Sequence, residues 1–224
     1  ELRASLLAAV GHDLRNPLAA ITAAATTLRQ TDIQLEPEDQ TELLETIETH
    51  AARLNDIIGN LLDMSRLQAG ALSVHPAPTV LLEVLAGVVR LGEGRVELDI
   101  PEDLPMISAD AGLLERVLAN LVDNANRHLP PGQKVRIAAH VTGSRVDVQV
   151  IDNGPGVAPE RMDEIFAPFQ HFGDRSTTGL GLGLAIARGF TEAMGGSLSP
   201  SRTPGGGLTM TVTLEVAHAA AADR

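Results

Sequence analysis

Near the start of the chain, His12 is followed directly by Asp13 and, one helical turn later, by Asn16. A neutral imidazole is a nucleophile. A neighbouring carboxylate can take the proton of its second ring nitrogen as the first one attacks. Residues four apart share a helix face, so Asn16 can orient a water beside a modified His12. These three residues form the candidate catalytic group. A lone His-Asp pair on a helix is ordinarily a solvated surface, so the reading needs support from elsewhere in the chain.

That support lies more than a hundred residues downstream. Asn120 and Asn124 sit four apart in the helical pattern Leu114–His128, and Arg127 follows one turn on. Amide oxygens are hard donors suited to Mg²⁺, which makes Asn124 the candidate metal ligand. Arg127 can meet a phosphate bidentately. Asp152 ends an alternating strand pattern and precedes Asn153, Gly154, Pro155 and Gly156. A carboxylate there can accept a hydrogen bond from a base amino group, while the glycines let the ring approach. Gly179, Gly181 and Gly183 open a further helix, whose first N–H groups and positive dipole end favour phosphate. No parallel βαβ unit leads into them, and no acidic residue follows at the dinucleotide-site distance, which argues against a Rossmann site. The polar stretch between Phe169 and Gly179 reads as a lid, with Arg175 reaching the terminal phosphate. The bland counterparts are a solvated helix face, an Asn-Gly turn and a surface loop.

These groups must be positioned by regular elements. Leu6, Leu7, Val10, Leu14, Leu18 and Ile21 recur at spacings of three and four, predicting a helix over 1–30. Pro17 offers no N–H to the carbonyl of Asp13, which predicts a kink beside the reactive pair. Glu36-Pro37-Glu38-Asp39 reads as a second helix start, and a long apolar pattern from Leu43 to Leu67 stops near Gly70. Residues 1–72 are therefore expected to form an antiparallel helical hairpin. Its apolar face is too wide to bury alone. The simplest completion is a four-helix bundle made by two chains, and the other is packing on the rest of its own chain.

Residues 73–78, with two prolines, read as a linker. Beyond them, 79–216 alternates helix and strand patterns: helices over Val80–Leu91, Asp110–His128 and Leu182–Met194, and strands over Arg95–Ile100, Val135–Val141, Arg145–Ile151 and Leu208–Val216. The fold class is α+β, with helices over one face of a mixed sheet. The tail, 217–224, is expected to fray.

Composition narrows the partners. Hydrophobic residues make up 44% of the chain but aromatics only 2%, so aliphatic side chains must build the core. Cysteine is absent, which excludes disulfides and thiolate metal sites. A formal net charge of −12 repels nucleic acid and anionic lipid, so neither is expected as a direct partner. No apolar run approaches the roughly eighteen residues that would span a membrane. The chain begins at Glu1 inside a helical pattern, as a fragment of a longer protein would.

Taken together and in order, the motifs resemble those of two-component sensor histidine kinases over nearly the whole chain. GHDLRNPL is similar to the phosphoacceptor box, NLVDNA to the N box, DNGPG to the first glycine box, EIFAPF to the F box and GLGLGLAIA to the second glycine box. Within that family the wording is most similar to the potassium-responsive branch. The resemblance implies a homodimeric phosphotransfer hairpin, then an α/β-sandwich ATP-binding domain of the type shared with gyrase, Hsp90 and MutL. It implies ATP and Mg²⁺ as cofactors and a response-regulator receiver domain as partner. It also implies a cytoplasmic location in a membrane-anchored sensor. Carried over by position, His12 is the phosphorylated residue, Asp13 the base, and Asn16 the group placing water for regulator dephosphorylation. Asn124 holds Mg²⁺, Asn120 and Arg127 lie near the phosphates, Asp152 reads adenine, and Phe166 and Phe169 anchor the lid. Two departures stand out: His128 where Tyr is frequent, and Asn16 where Thr is commoner. The competing readings are another ATPase of the same nucleotide fold and a non-catalytic dimeric scaffold.

Overall fold

The computed structural model describes residues 2–30, 35–91, 95–170 and 180–217. Two long helices come first, α1 (Leu2–Arg29) and α2 (Pro37–Gln68), packed against each other as a hairpin. α1 runs unbroken through Pro17. α2 starts as its sequence requires, with Glu36 in an extended N-cap conformation, Pro37 in the first turn, and Glu38 and Asp39 against the positive dipole end. Little of α2 is covered: of its 32 residues, Ile57 and Asp63 alone are buried. Leu18, Leu44, Ile58 and Leu62 each leave about half their surface open.

A short strand β1 (Ala77–Thr79) and helix α3 (Leu81–Leu91) follow, then β2 (Val96–Asp99) and β3 (Ile107–Ala109). β1 and β3 pair antiparallel. α4 (Ala111–His128) leads into the hairpin of β4 (Val135–Thr142) and β5 (Arg145–Ile151). After two single 3₁₀ turns come α5 (Gly183–Ala193), β6 (Ser197–Arg202) and β7 (Leu208–Glu215). The main sheet has the order β2-β4-β5-β7-β6, parallel between β2 and β4 and antiparallel elsewhere.

Period-two alternation sets the buried face. Register places Ala139 opposite Val148, Val148 opposite Val212 and Val212 opposite Leu198, and all four are buried. The neighbouring positions Asp147 and Thr213 point to the other, polar face. α4 lays Leu114, Val117, Leu118, Leu121, Val122 and Ala125 into that core, joined by Ile186 and Phe190 of α5. Strand β6 was not legible as such, because Ser197-Leu198-Ser199-Pro200 is polar and contains a proline. It lies at the sheet edge, where an imino nitrogen forfeits no ladder bond.

Asp110 fastens two pieces of this architecture at once. One carboxylate oxygen, Oδ1, accepts from the backbone N–H groups of Gly112 (3.1 Å) and Leu113 (3.2 Å) and so caps α4. The other accepts from the N–H of His75 (3.0 Å), in the segment between α2 and β1. Partial burial alone would raise the Asp110 carboxyl. The backbone donors of His75, Leu113 and Gly112 outweigh it and hold the group below the usual carboxylate range. Asp110→Ala is expected to cost about 1 kcal/mol, the usual scale of an N-cap deletion. Because the folded pKa is depressed, the Asp110 contribution is present above the unfolded value of about 4 and fades as pH falls through the lower, folded value. Melting temperatures of the two chains should therefore differ at neutral pH and converge on acidification. A gap that stays constant down to low pH would contradict this account.

Candidate active site

His12 lies on α1 with 71% of its side chain exposed, and Asp13 beside it with 22%. The Nδ1 atom of His12 meets Asp13 Oδ1 at 3.2 Å, which leaves Nε2 directed away from the carboxylate. Asn16 is exposed one turn later, on the same face. Beneath them Val10 and Leu14 turn the other side of α1 toward the core. The sequence alternation of reactive and apolar residues is thus the alternation of two helix faces.

A pocket opens at the end of β5, between α4, α5 and the flank of α2. Asn120, Asn124, Arg127, Asp152, Gly156, Gly181 and Gly183 all line it. Asn120 and Asn124 reach it from the edge of α4 that the core does not take, as their four-residue spacing requires. The Nδ2 group of Asn120 is buried and has no hydrogen-bond acceptor among the described residues. A buried donor left unmade costs stability, so this amide fits a ligand oxygen in the pocket. Arg127 lines the same end, but its guanidinium is held by Asp123 one turn back. Asp56 of α2 is close by, and burial, then the charge of Asp123, pushes its carboxyl above the usual range against the lowering effect of Arg116 and Arg127.

At the other end Asp152 is 5% exposed, at the close of β5. Its Oδ1 accepts from the N–H of Gly154 at 2.8 Å and from that of Leu208 at 3.1 Å. The backbone N–H of Asp152 donates in turn to the carbonyl of Leu208 at 3.0 Å. One carboxylate oxygen is consumed in fixing the loop, and Oδ2 is left for the pocket. The carboxylate acceptor at this end suits an amino-bearing ring, and the unmet Asn120 N–H at the other suits phosphate oxygens.

The glycines prove to serve the protein's own backbone first. A Cβ on Gly154 would stand 2.7 Å from the carbonyl oxygen of His128, and one on Gly156 (φ +70°) 2.8 Å from that of Gly207. Gly181 (φ +63°) is pressed against Gln170, whose carbonyl oxygen would be 2.6 Å from the added carbon. Gly183, the first residue of α5, has only ordinary contacts with Asn120. Sequence reading missed Gly207 as part of the site. It packs directly on the backbone of Asp152, and its signal was the run Pro204-Gly205-Gly206-Gly207, which reads as a plain turn. It also missed α2 as a wall of the pocket. Arg175 and Gly179 lie outside the described residues.

Two phenylalanines border the end of the site. Phe166 is buried, with the Arg188 guanidinium 5.0 Å from its ring centroid. Phe169 adopts φ +64°, unusual for an aromatic residue, and its N–H donates to the carbonyl of Gly181 at 3.0 Å. Among the described residues no group of three or more His, Cys, Asp or Glu side chains could hold a metal. No helix among them is long and apolar enough to cross a membrane.

A helical hairpin carrying an exposed His-Asp pair, followed by a mixed-sheet domain with a polar pocket at the end of β5, defines a class that comparison with known proteins identifies. Residues 2–70 match the model of the His Kinase A (phospho-acceptor) domain. Residues 109–218 match that of the histidine kinase-, DNA gyrase B- and HSP90-like ATPase. The chain is similar to the sensor protein KdpD of Mycobacterium tuberculosis, 48% identical over 96% of this chain and 26% of that protein. Among solved structures it is similar to full-length ShkA in complex with AMPPNP (30% identity, TM-score 0.67, 95% of this chain and 46% of that one). The histidine kinase AdeS of Acinetobacter baumannii shares the fold (24% identity, TM-score 0.67, 92% and 98% of the two chains). The chain belongs to the sensor histidine kinase family, and its second domain is an ATP-binding one. It spans about a quarter of the length of the KdpD sensor proteins it matches.

Proposed function

We propose that this chain is the phosphotransfer and catalytic core of a two-component sensor, phosphorylating His12 from ATP and passing the phosphoryl group to an aspartate of a response-regulator receiver domain. The observation that carries the reading is the exposed His12 with Nδ1 on Asp13, in a chain that also holds the nucleotide-fitting pocket. In this reading Asp152 Oδ2 accepts from the adenine amino group, and Asn120, Arg127 and the start of α5 receive the phosphates. Asn124 would hold Mg²⁺, which supplies charge neutralisation of the triphosphate. The residues fit that role through the hard amide oxygen of Asn124 and the orphaned amide of Asn120.

Neutral His12 attacks the γ-phosphorus through the Nε2 lone pair. A nitrogen–phosphorus bond forms as the bond to the bridging oxygen breaks, and ADP leaves with that electron pair. The positive charge that develops on the ring is shared with Nδ1–H, where Asp13 stabilises it. Asn16, one turn on, places water for removing the phosphoryl group from the regulator. The open apolar positions Leu18, Leu44, Ile58 and Leu62 support a homodimer in which a second hairpin covers them. By likeness to the potassium-responsive relatives, the parent protein is a membrane-anchored sensor whose output answers potassium or osmotic state.

The test is incubation with Mg²⁺ and γ-labelled ATP, followed by a receiver domain. The chain should take up label that is lost in acid and kept in base, as a phosphoramidate requires, and should then deliver it. Label that survives acid, or ATP binding with neither label nor action on a phosphorylated regulator, would leave the scaffold reading in its place.

A further inference from the structure

Helix α2 presents three polar residues to the pocket, Arg53, Asp56 and Asn60, at spacings of three and four that put them on one face. α2 lies antiparallel to α4. Asp63 pairs with Arg116, and Asp56 faces Asp123, so stepping back along α2 is stepping forward along α4. The same register brings Arg53 level with the last turn of α4, beside Arg127. Asn120, whose buried amide has no acceptor among the described residues, lies two turns back along α4 on the wall of the same pocket. Among the described residues Arg53 has no ion pair and no hydrogen bond, whereas Arg127 is engaged by Asp123. An unpaired guanidinium and an orphaned amide lining one pocket favour an extended anionic ligand there, and Arg53 stands at the Arg127 end of it.

We infer that Arg53, a hairpin residue, contacts the terminal phosphates of the bound nucleoside triphosphate, so that α2 forms the second wall of the ATP site. The inference rests on the nucleotide reading of the pocket. It makes hairpin docking and triphosphate binding mutually reinforcing, because the contact exists only while α2 lies on α4. Ile57, Leu67 and the Asp63–Arg116 pair hold that docking: Ile57 is buried in the common core, and Leu67 sits over Gly189 of α5, which has no room for a side chain there.

The experiment is calorimetric titration of the 224-residue chain with ATP and, separately, with adenosine, both with Mg²⁺. Arg53→Gln should weaken ATP about tenfold, the scale of one charge-assisted contact, and leave adenosine unchanged. Arg53→Lys should recover most of the loss. Arg66→Gln, which removes an exposed arginine of the same helix outside the pocket, should match the unsubstituted chain for both ligands. Equal ATP affinity in Arg53→Gln and the unsubstituted chain overturns the inference and spares the nucleotide reading. So does an equal loss of ATP and adenosine, which would mark a packing role for Arg53. Failure of the unsubstituted chain to bind ATP at all overturns both.

Discussion

His12→Gln is expected to take up no label from γ-labelled ATP under conditions that phosphorylate the unsubstituted chain. Glutamine keeps the polarity and approximate length of the side chain but has no basic lone pair on a ring nitrogen, so the attacking atom is gone rather than weakened. The substitution should leave the fold alone, because most of the His12 side chain is exposed and its one hydrogen bond among the described residues is with the neighbouring Asp13. An exposed pair of this kind contributes at most about 1 kcal/mol. ATP affinity should also be unchanged, since His12 does not line the pocket. The signature is therefore a chain with unaltered circular dichroism and ATP binding and with background label. Persisting acid-labile phosphate would place the acceptor on another histidine. A parallel loss of ATP binding would show that the substitution had disturbed more than the nucleophile.

The second large effect concerns recognition of the base. In Asp152→Asn the amide oxygen can take the place of Oδ1 and keep the N–H groups of Gly154 and Leu208 satisfied. The amide nitrogen then stands where Oδ2 stood and presents a donor to a ring position that, in adenine, also carries a donor. Two donors facing each other in a site this buried leave both unmade. The expected loss is about 3 kcal/mol, or roughly a hundredfold in ATP affinity. A ring with a carbonyl at that position would suffer no such conflict, so the ratio of GTP to ATP binding should rise. Titration of the two nucleotides against both chains reads this out. Equal losses for the two bases would mean that Asp152 serves only to hold the loop.

How much of this was legible in the residues differs from group to group. Helix α4 was readable because its apolar stripe and its polar edge obey one period, and Asn120 and Asn124 fall where the period leaves them free. The β4–β5 hairpin declared itself by alternation and by Thr142-Gly143-Ser144. The roles of the glycines were harder to see. Spacing alone suggests that they admit a ligand, whereas Gly154 admits the end of α4, and Gly156 and Gly207 admit backbone segments that the β5–β7 pairing brings together. The same limit hid α2. No local pattern tells that Arg53 and Asn60 face a pocket built mainly from residues beyond 120. Such a contact depends on docking geometry, and a sequence states a helix face without stating its neighbour.

The bond from Phe169 to Gly181 has a consequence for how the protein can vary. It joins the two ends of the stretch 170–180 through backbone atoms alone, with Gly181 pressed onto Gln170. The two ends are thereby held together by folding itself and not by any side chain. The two stem residues, one an aromatic held at a left-handed angle and the other a glycine with no space for a methyl group, tolerate almost no substitution.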